Sequence, residues 1–149
     1  MSRPTESGIE RKRGNLAEEC TELSGLRFSH AGTLPYRQVA DFYEGVGALI
    51  MPSLQEGAGL PPLEAAAAGR LVIGTPVGHF PRLAYEGLGI LAPLGERAFK
   101  RFTVETLTYY RDNVTAYREK CLSIREAAEQ RDWSRVICDW SEFLSGGNF

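Results

Sequence analysis

The chain has 149 residues, is 43% hydrophobic and 24% charged, and carries a net charge of -2 with a sequence pI near 5.8. That suffices for one domain with a substantial core. It leaves no basic footprint for nucleic acid or an anionic membrane, and no apolar run is long enough to span a bilayer.

Cys20, Cys121 and Cys138 are widely spaced, without a paired C-x-x-C, and read as free thiols in a reducing compartment. His30 and His79 are the two histidines, so a multi-histidine metal site is not expected. The N-terminus lacks the apolar centre of a signal peptide, and a cytoplasmic location is expected.

Residues 1–14 mix Ser, Pro, Gly and charge and read as a frayed or disordered tail. Arg11-Lys12-Arg13 forms a small basic cluster there, read as solvated although able to touch a phosphate. Asn15 to Leu23 reads as a helix capped by Asn15 with Glu18 as its capping-box partner, and Leu16, Cys20 and Leu23 share one face. Ser24-Gly25 ends it. Leu26 to Ala31 alternates apolar and polar residues and reads as a strand with His30 near its end. Gly32 to Pro35 is a turn. Tyr36 to Glu44 is a helix with Val39, Ala40, Phe42 and Tyr43 on its apolar face.

The segment from Gly47 to Gly78 carries the densest pattern. The apolar run 47–51 suits a buried strand, and Pro52 to Gly59 is a turn. Leu60-Pro61-Pro62-Leu63-Glu64 followed by four alanines is a helix start and interior. Gly69 stops it, and Leu71 to Gly74 is a second strand. Strand, loop, helix and strand in so short a span make a βαβ unit, and with it a parallel sheet.

Past this unit, Thr75 to Pro81 is a loop, Arg82 to Glu86 a helical turn, and Gly89 to Ala92 a last strand. From Glu96 the pattern is helical. Val104, Leu107 and Tyr110 mark one helix, and Tyr117, Cys121 and Ile124 a second ending near Glu129. A third is capped near Asp132, and its stripe of Trp133, Val136, Ile137, Trp140 and Leu144 reads as core packing. Residues 146–149 form a tail.

The chemistry of the βαβ unit concentrates in its first loop. Gly57 and Gly59 let backbone amides approach a ligand, and a helix start is an anion site. Glu56 and Glu64 flank it, and carboxylates accept hydrogen bonds from sugar hydroxyls. A molecule with a phosphate and several hydroxyls fits, as a nucleotide sugar does.

Pro52-Ser53-Leu54-Gln55-Glu56-Gly57-Ala58-Gly59-Leu60-Pro61-Pro62-Leu63-Glu64-Ala65 resembles the P-S-x-x-E-G-F-G-L-P-x-x-E-A signature of retaining GT-B glycosyltransferases. Residues 27–32 are similar to that family's V-x-F-x-G strand, and residues 69–78 to its G-x-P-V-I-A-T-x-x-G-G segment. The resemblance covers residues 15–145 and implies a Rossmann-like α/β fold. This would be the donor-binding C-terminal half of a GT-B fold, incomplete, followed by C-terminal helices.

The resemblance further implies a nucleotide-diphosphate sugar donor. Glu64 would accept from the ribose diol, and Glu56, the catalytic candidate, would hold the hydroxyls of the transferred hexose. Gly57, Ala58, Gly59 and Leu60 would present amides to sugar and diphosphate. Pro52 and Ser53 would border base and ribose, and Thr75 and Gly78 would line the next wall. No metal and no cofactor are expected. The implied acceptor is a sugar, lipid or polysaccharide, and a separate chain is expected to supply the acceptor domain.

Two other functions compete. One is a non-enzymatic remnant or a nucleotide-binding module dependent on a partner. The other is a dinucleotide-binding domain, disfavoured because Pro62 stands where a third glycine belongs and no ribose-binding Asp follows at the required spacing.

Overall fold

The computed structural model describes residues 12–57 and 59–146. Three parallel strands form one sheet in the order β1 (Ala48–Met51), β2 (Leu71–Gly74) and β3 (Ile90–Leu91). The register pairs Ala48 with Leu71, Met51 with Gly74 and Ile73 with Ile90. The α-helices of the described residues are α1 (Gly14–Leu23), α2 (Val39–Glu44), α3 (Leu60–Ala67), α4 (Phe80–Tyr85), α5 (Glu96–Asp112), α6 (Val114–Glu129) and α7 (Trp133–Leu144). This is the expected α/β architecture, with α3 and α4 as the crossovers between parallel strands.

β2 is the centre of the fold. Leu71, Val72 and Ile73 are fully buried, as a strand covered on both faces requires. Phe80 lies across the sheet so closely that a Cβ on Gly74 or Gly89 would meet its ring at 2.7 or 2.8 Å. On α5, Phe99, Thr103 and Leu107 recur every four residues as a buried stripe, and α1 packs against it. α6 contributes Ile124 and packs on α3.

Three helices end in the same way. Gly25, Gly69 and Gly87 have positive φ, and the residue after each donates its amide back into the last turn: Leu26 to Thr21 O, Arg70 to Ala65 O, Leu88 to Leu83 O. These are Schellman closures, which need a residue free of Cβ strain at the turn. The expected stops at Gly25 and Gly69 stand.

Several expectations need correction. Leu26 to Ala31 is not a strand. A strand exists through its ladder, and among the described residues no neighbour pairs with this segment. Asn15 does not cap α1. The helix begins at Gly14 behind Arg13, and no side chain caps it. Leu23 is 65% exposed rather than part of the helix's inner face. A short 3-10 turn, Tyr36–Gln38, precedes α2. α4 starts at Phe80 rather than Arg82, because Pro81 is tolerated in a first turn.

The largest correction concerns α7. Trp133 and Leu144 are 74% and 75% exposed, and no residue of this helix is buried. The stripe is a surface, not core. Asp132 does cap the helix, accepting from Ser134 N at 2.9 Å. Among the described residues no helix is long and apolar enough to cross a membrane.

Candidate functional site

The loop between β1 and α3 is held by partners from distant parts of the chain. Three consecutive carbonyls, from the last strand residue into the loop, each accept a hydrogen bond, one from a backbone amide and two from side chains. Met51 O accepts from Thr75 N at 3.1 Å, with Thr75 Oγ1 3.4 Å away. Pro52 O accepts from Arg13 Nε, and Ser53 O from Thr75 Oγ1. Pro52, Ser53 and Thr75 are buried. Thr75 therefore acts inward on the loop backbone, and Ser53 turns its hydroxyl to Glu56.

Glu56 Oε1 accepts from Ser53 Oγ at 2.7 Å and is ion-paired with Lys12 Nζ. The Glu56 side chain is only 16% exposed, so the pair is partly shielded from water. Glu64 sits one turn into α3. Tyr43 Oη donates to Glu64 Oε2 at 3.4 Å and lies 3.3 Å from Pro61 O. Burial first, then the charge and hydrogen bond of Glu64, push the Tyr43 hydroxyl up to about 12, so it remains a donor at neutral pH.

The glycines set the shape. Gly59 precedes α3 with φ 59, and no side chain caps the helix. Gly78, φ +58, runs against the far side of the loop: a Cβ there would stand 2.6 Å from Gly57 O and 2.7 Å from Glu56 O. Gly57 has open space around it, and Leu60 is 65% exposed. Ala58 lies outside the described residues.

The prolines change the anion-site argument. A helix start leaves its first four N–H groups unpaired. In α3 these belong to Gly59, Leu60, Pro61 and Pro62, and the two prolines have none. The donors reduce to Gly59 and Leu60, with Gly57 from the loop.

Sequence reasoning missed Lys12 and Arg13 as part of this loop. Both were assigned to a solvated tail, yet both dock on it. Arg13 Nη2 also donates to Leu94 O at 3.1 Å, and its guanidinium lies 5.9 Å from the centre of the Phe99 ring. Burial holds this guanidinium below its ordinary value, against an opposing contribution from Glu96. The available signal was a basic run set directly against a helix start. Tyr43 was read as core, and its hydroxyl contact with Glu64 was not anticipated.

Other features lie elsewhere. His30 is exposed in the irregular segment, and His79 precedes α4 without capping it by side chain. Cys20, Cys121 and Cys138 are free. Among the described residues no cluster of His, Cys, Asp and Glu has the makings of a metal site. A groove of about 320 Å³ beside β3, lined by Ile90, Phe102, Glu105, Thr106, Tyr109 and Tyr110, contains none of the candidate residues.

Among solved structures, the chain is similar to sucrose-phosphate synthase from Thermosynechococcus elongatus, with 21% identity and a TM-score of 0.68. The match covers 97% of this chain and 36% of that one, so the chain spans about a third of the length of the structure it matches. At that identity the likeness establishes the fold, that of a GT-B half-domain. No curated protein matches the chain. The family model described as glycosyl transferases group 1 matches residues 8–109, more than half of the chain and the whole of the loop with both glutamates. The chain belongs to the glycosyl transferases group 1 family.

Proposed function

We propose that this chain binds a nucleoside-diphosphate sugar as the donor part of a retaining, hexosyl-transferring glycosyltransferase. One observation carries the reading. Two carboxylates flank a glycine loop, and each is held by a hydroxyl from its own surroundings: Glu56 by Ser53, Glu64 by Tyr43. Carboxylates so held can accept from diols.

In this reading Glu64 takes the ribose diol and Glu56 the hydroxyls of the transferred sugar. Departure of the nucleoside diphosphate builds negative charge, which fixed amide donors stabilise. With Pro61 and Pro62 lacking N–H groups, that task falls to Gly57, Gly59 and Leu60, with Lys12 supplying a nearby cation. Pro52, Ser53, Thr75 and Gly78 give the loop its shape. The chemistry asks for no metal and no cofactor. The acceptor is a sugar, lipid or polysaccharide, and a cytoplasmic setting suits the donor.

Calorimetric titration with UDP-glucose, GDP-mannose and ADP-glucose tests this. One of them binds the full chain, and Glu64→Ala weakens it about 10-fold or more, the worth of a hydrogen bond to a charged group. No binding by any of them, or an unchanged affinity in the variant, defeats the reading.

A second reading keeps the nucleotide site without catalysis: a binding module completed by a partner. The exposed apolar stripe of α7, Trp133, Ile137, Trp140 and Leu144, favours it. Donor binding without hydrolysis or transfer, in the presence of candidate acceptors, distinguishes the two.

A further inference from the structure

The loop that carries Ser53 and Glu56 is attached at one end to an arginine that chain order places far away. Arg13 is the one non-glycine among the described residues with positive φ, 48° with ψ 45°. An L-residue reaches that region at a cost in free energy that glycine would avoid. Gly14 is the very next residue, yet the arginine takes the strained position. Its side chain is the evident compensation.

That side chain joins three separate segments. Nε donates to Pro52 O at the root of the β1–α3 loop. Nη2 donates to Leu94 O in the loop before α5, at 3.1 Å. The guanidinium carbon lies over the ring of Phe99, which is fully buried. A planar fork can serve two carbonyls at once in fixed geometry, and a lysine ammonium serves them far less well. Pro52 O is the middle one of three consecutive held carbonyls, and Thr75 holds the outer two, Met51 O through its amide and Ser53 O through its hydroxyl. The next residue, Ser53, sets Glu56 through its hydroxyl. The preceding residue on the arginine side, Lys12, pairs with the same carboxylate.

We propose that Arg13 is a positioning residue for Glu56: by tying Pro52 O to Leu94 O it fixes where the sugar-facing carboxylate stands, without touching the ligand. The proposal rests on the donor-binding reading and deepens it. Glu64 is set independently, by Tyr43 from α2. The two carboxylates are therefore separable by experiment.

The test compares sugar nucleotides with their nucleoside diphosphates on the full chain. In Arg13→Ala, affinity for the bound member of UDP-glucose, GDP-mannose and ADP-glucose falls about 10-fold, while affinity for the matching UDP, GDP or ADP stays within about 2-fold. Arg13→Lys falls between, and guanidinium ion added to Arg13→Ala restores part of the sugar-nucleotide affinity. Equal losses for both ligand types without rescue reduce Arg13 to a stability element and overturn the proposal, as does unchanged affinity. Should the wild-type chain bind none of these ligands, the donor reading fails on its own. The tie is then read by hydrogen exchange. Amides 53–57 exchange faster in Arg13→Ala than in wild type, while those of α6 do not, and equal exchange overturns it.

Discussion

Gly78→Ala probes the loop from the side opposite Arg13. The new Cβ would stand 2.6 Å from Gly57 O and 2.7 Å from Glu56 O. An ordinary carbon–oxygen approach is about 3.3 Å or more, so one backbone has to withdraw by roughly 0.7 Å. Both partners are main chain, so no side-chain rotation relieves the contact. Two penalties add: a left-handed non-glycine residue costs about 1–2 kcal/mol, and overpacking about 1–3 kcal/mol. The sum, about 3 kcal/mol, lowers Tm by about 6–12 °C in a domain of this size.

Gly32→Ala is the control. Its φ of +62 matches, but nothing lies within 4 Å of its Cβ, so only the backbone penalty applies. Urea unfolding followed by far-ultraviolet circular dichroism reads the difference between the variants, expected at about 1–3 kcal/mol with an unchanged m value. Gly78→Ala also weakens donor binding, because the displaced atoms belong to Glu56 and Gly57. Equal stability of the two variants within about 0.5 kcal/mol would refute the close-packing argument.

Tyr43 and Tyr117 are each pushed up to about 12, chiefly by burial. A raised folded-state value means that the folded protein holds the proton more tightly. The stability involved is present below the unfolded value near 10 and is lost as pH rises through about 12. Absorbance at the tyrosinate band shows these tyrosines ionising late, and Tyr43→Phe loses less stability between neutral and strongly alkaline pH than wild type. A single titration step near the free-tyrosine value would contradict this. Asp132 is the reverse case. Its hydrogen bonds from Ser134 hold its carboxyl below the ordinary value, so its support of α7 is present above that value and fades in strong acid. Asp132→Asn therefore reduces helicity at neutral pH and matches wild type in strong acid. An equal deficit at both pH values would show the charge to be irrelevant.

What the sequence made legible was short in range. The βαβ unit, the strands expected at 47–51 and 71–74 and found at 48–51 and 71–74, and the glycine stops follow from neighbours within a turn or two. The Leu26–Ala31 strand failed because pairing is decided by a partner, which alternation along one segment does not specify. The α7 stripe shows the same limit: amphipathic spacing states that a face is apolar, not what covers it. Lys12 and Arg13 reach partners 44 and 39 residues away, and tail-like composition concealed them. The candidate loop was legible because its glycines, prolines and glutamates are contiguous. Its supports, Arg13, Tyr43 and the inward hydroxyl of Thr75, come from elsewhere in the chain.

The central claim is that the loop from Pro52 to Leu60, with Glu64 behind it, receives an activated sugar. Amide chemical-shift mapping of the uniformly labelled chain during titration with UDP-glucose, GDP-mannose and ADP-glucose tests it most directly. One of them is expected to shift Gly57, Gly59, Leu60 and Glu64 first and most. Shifts that instead gather around Ile90, Phe102 and Tyr109, or none with any donor, would contradict it.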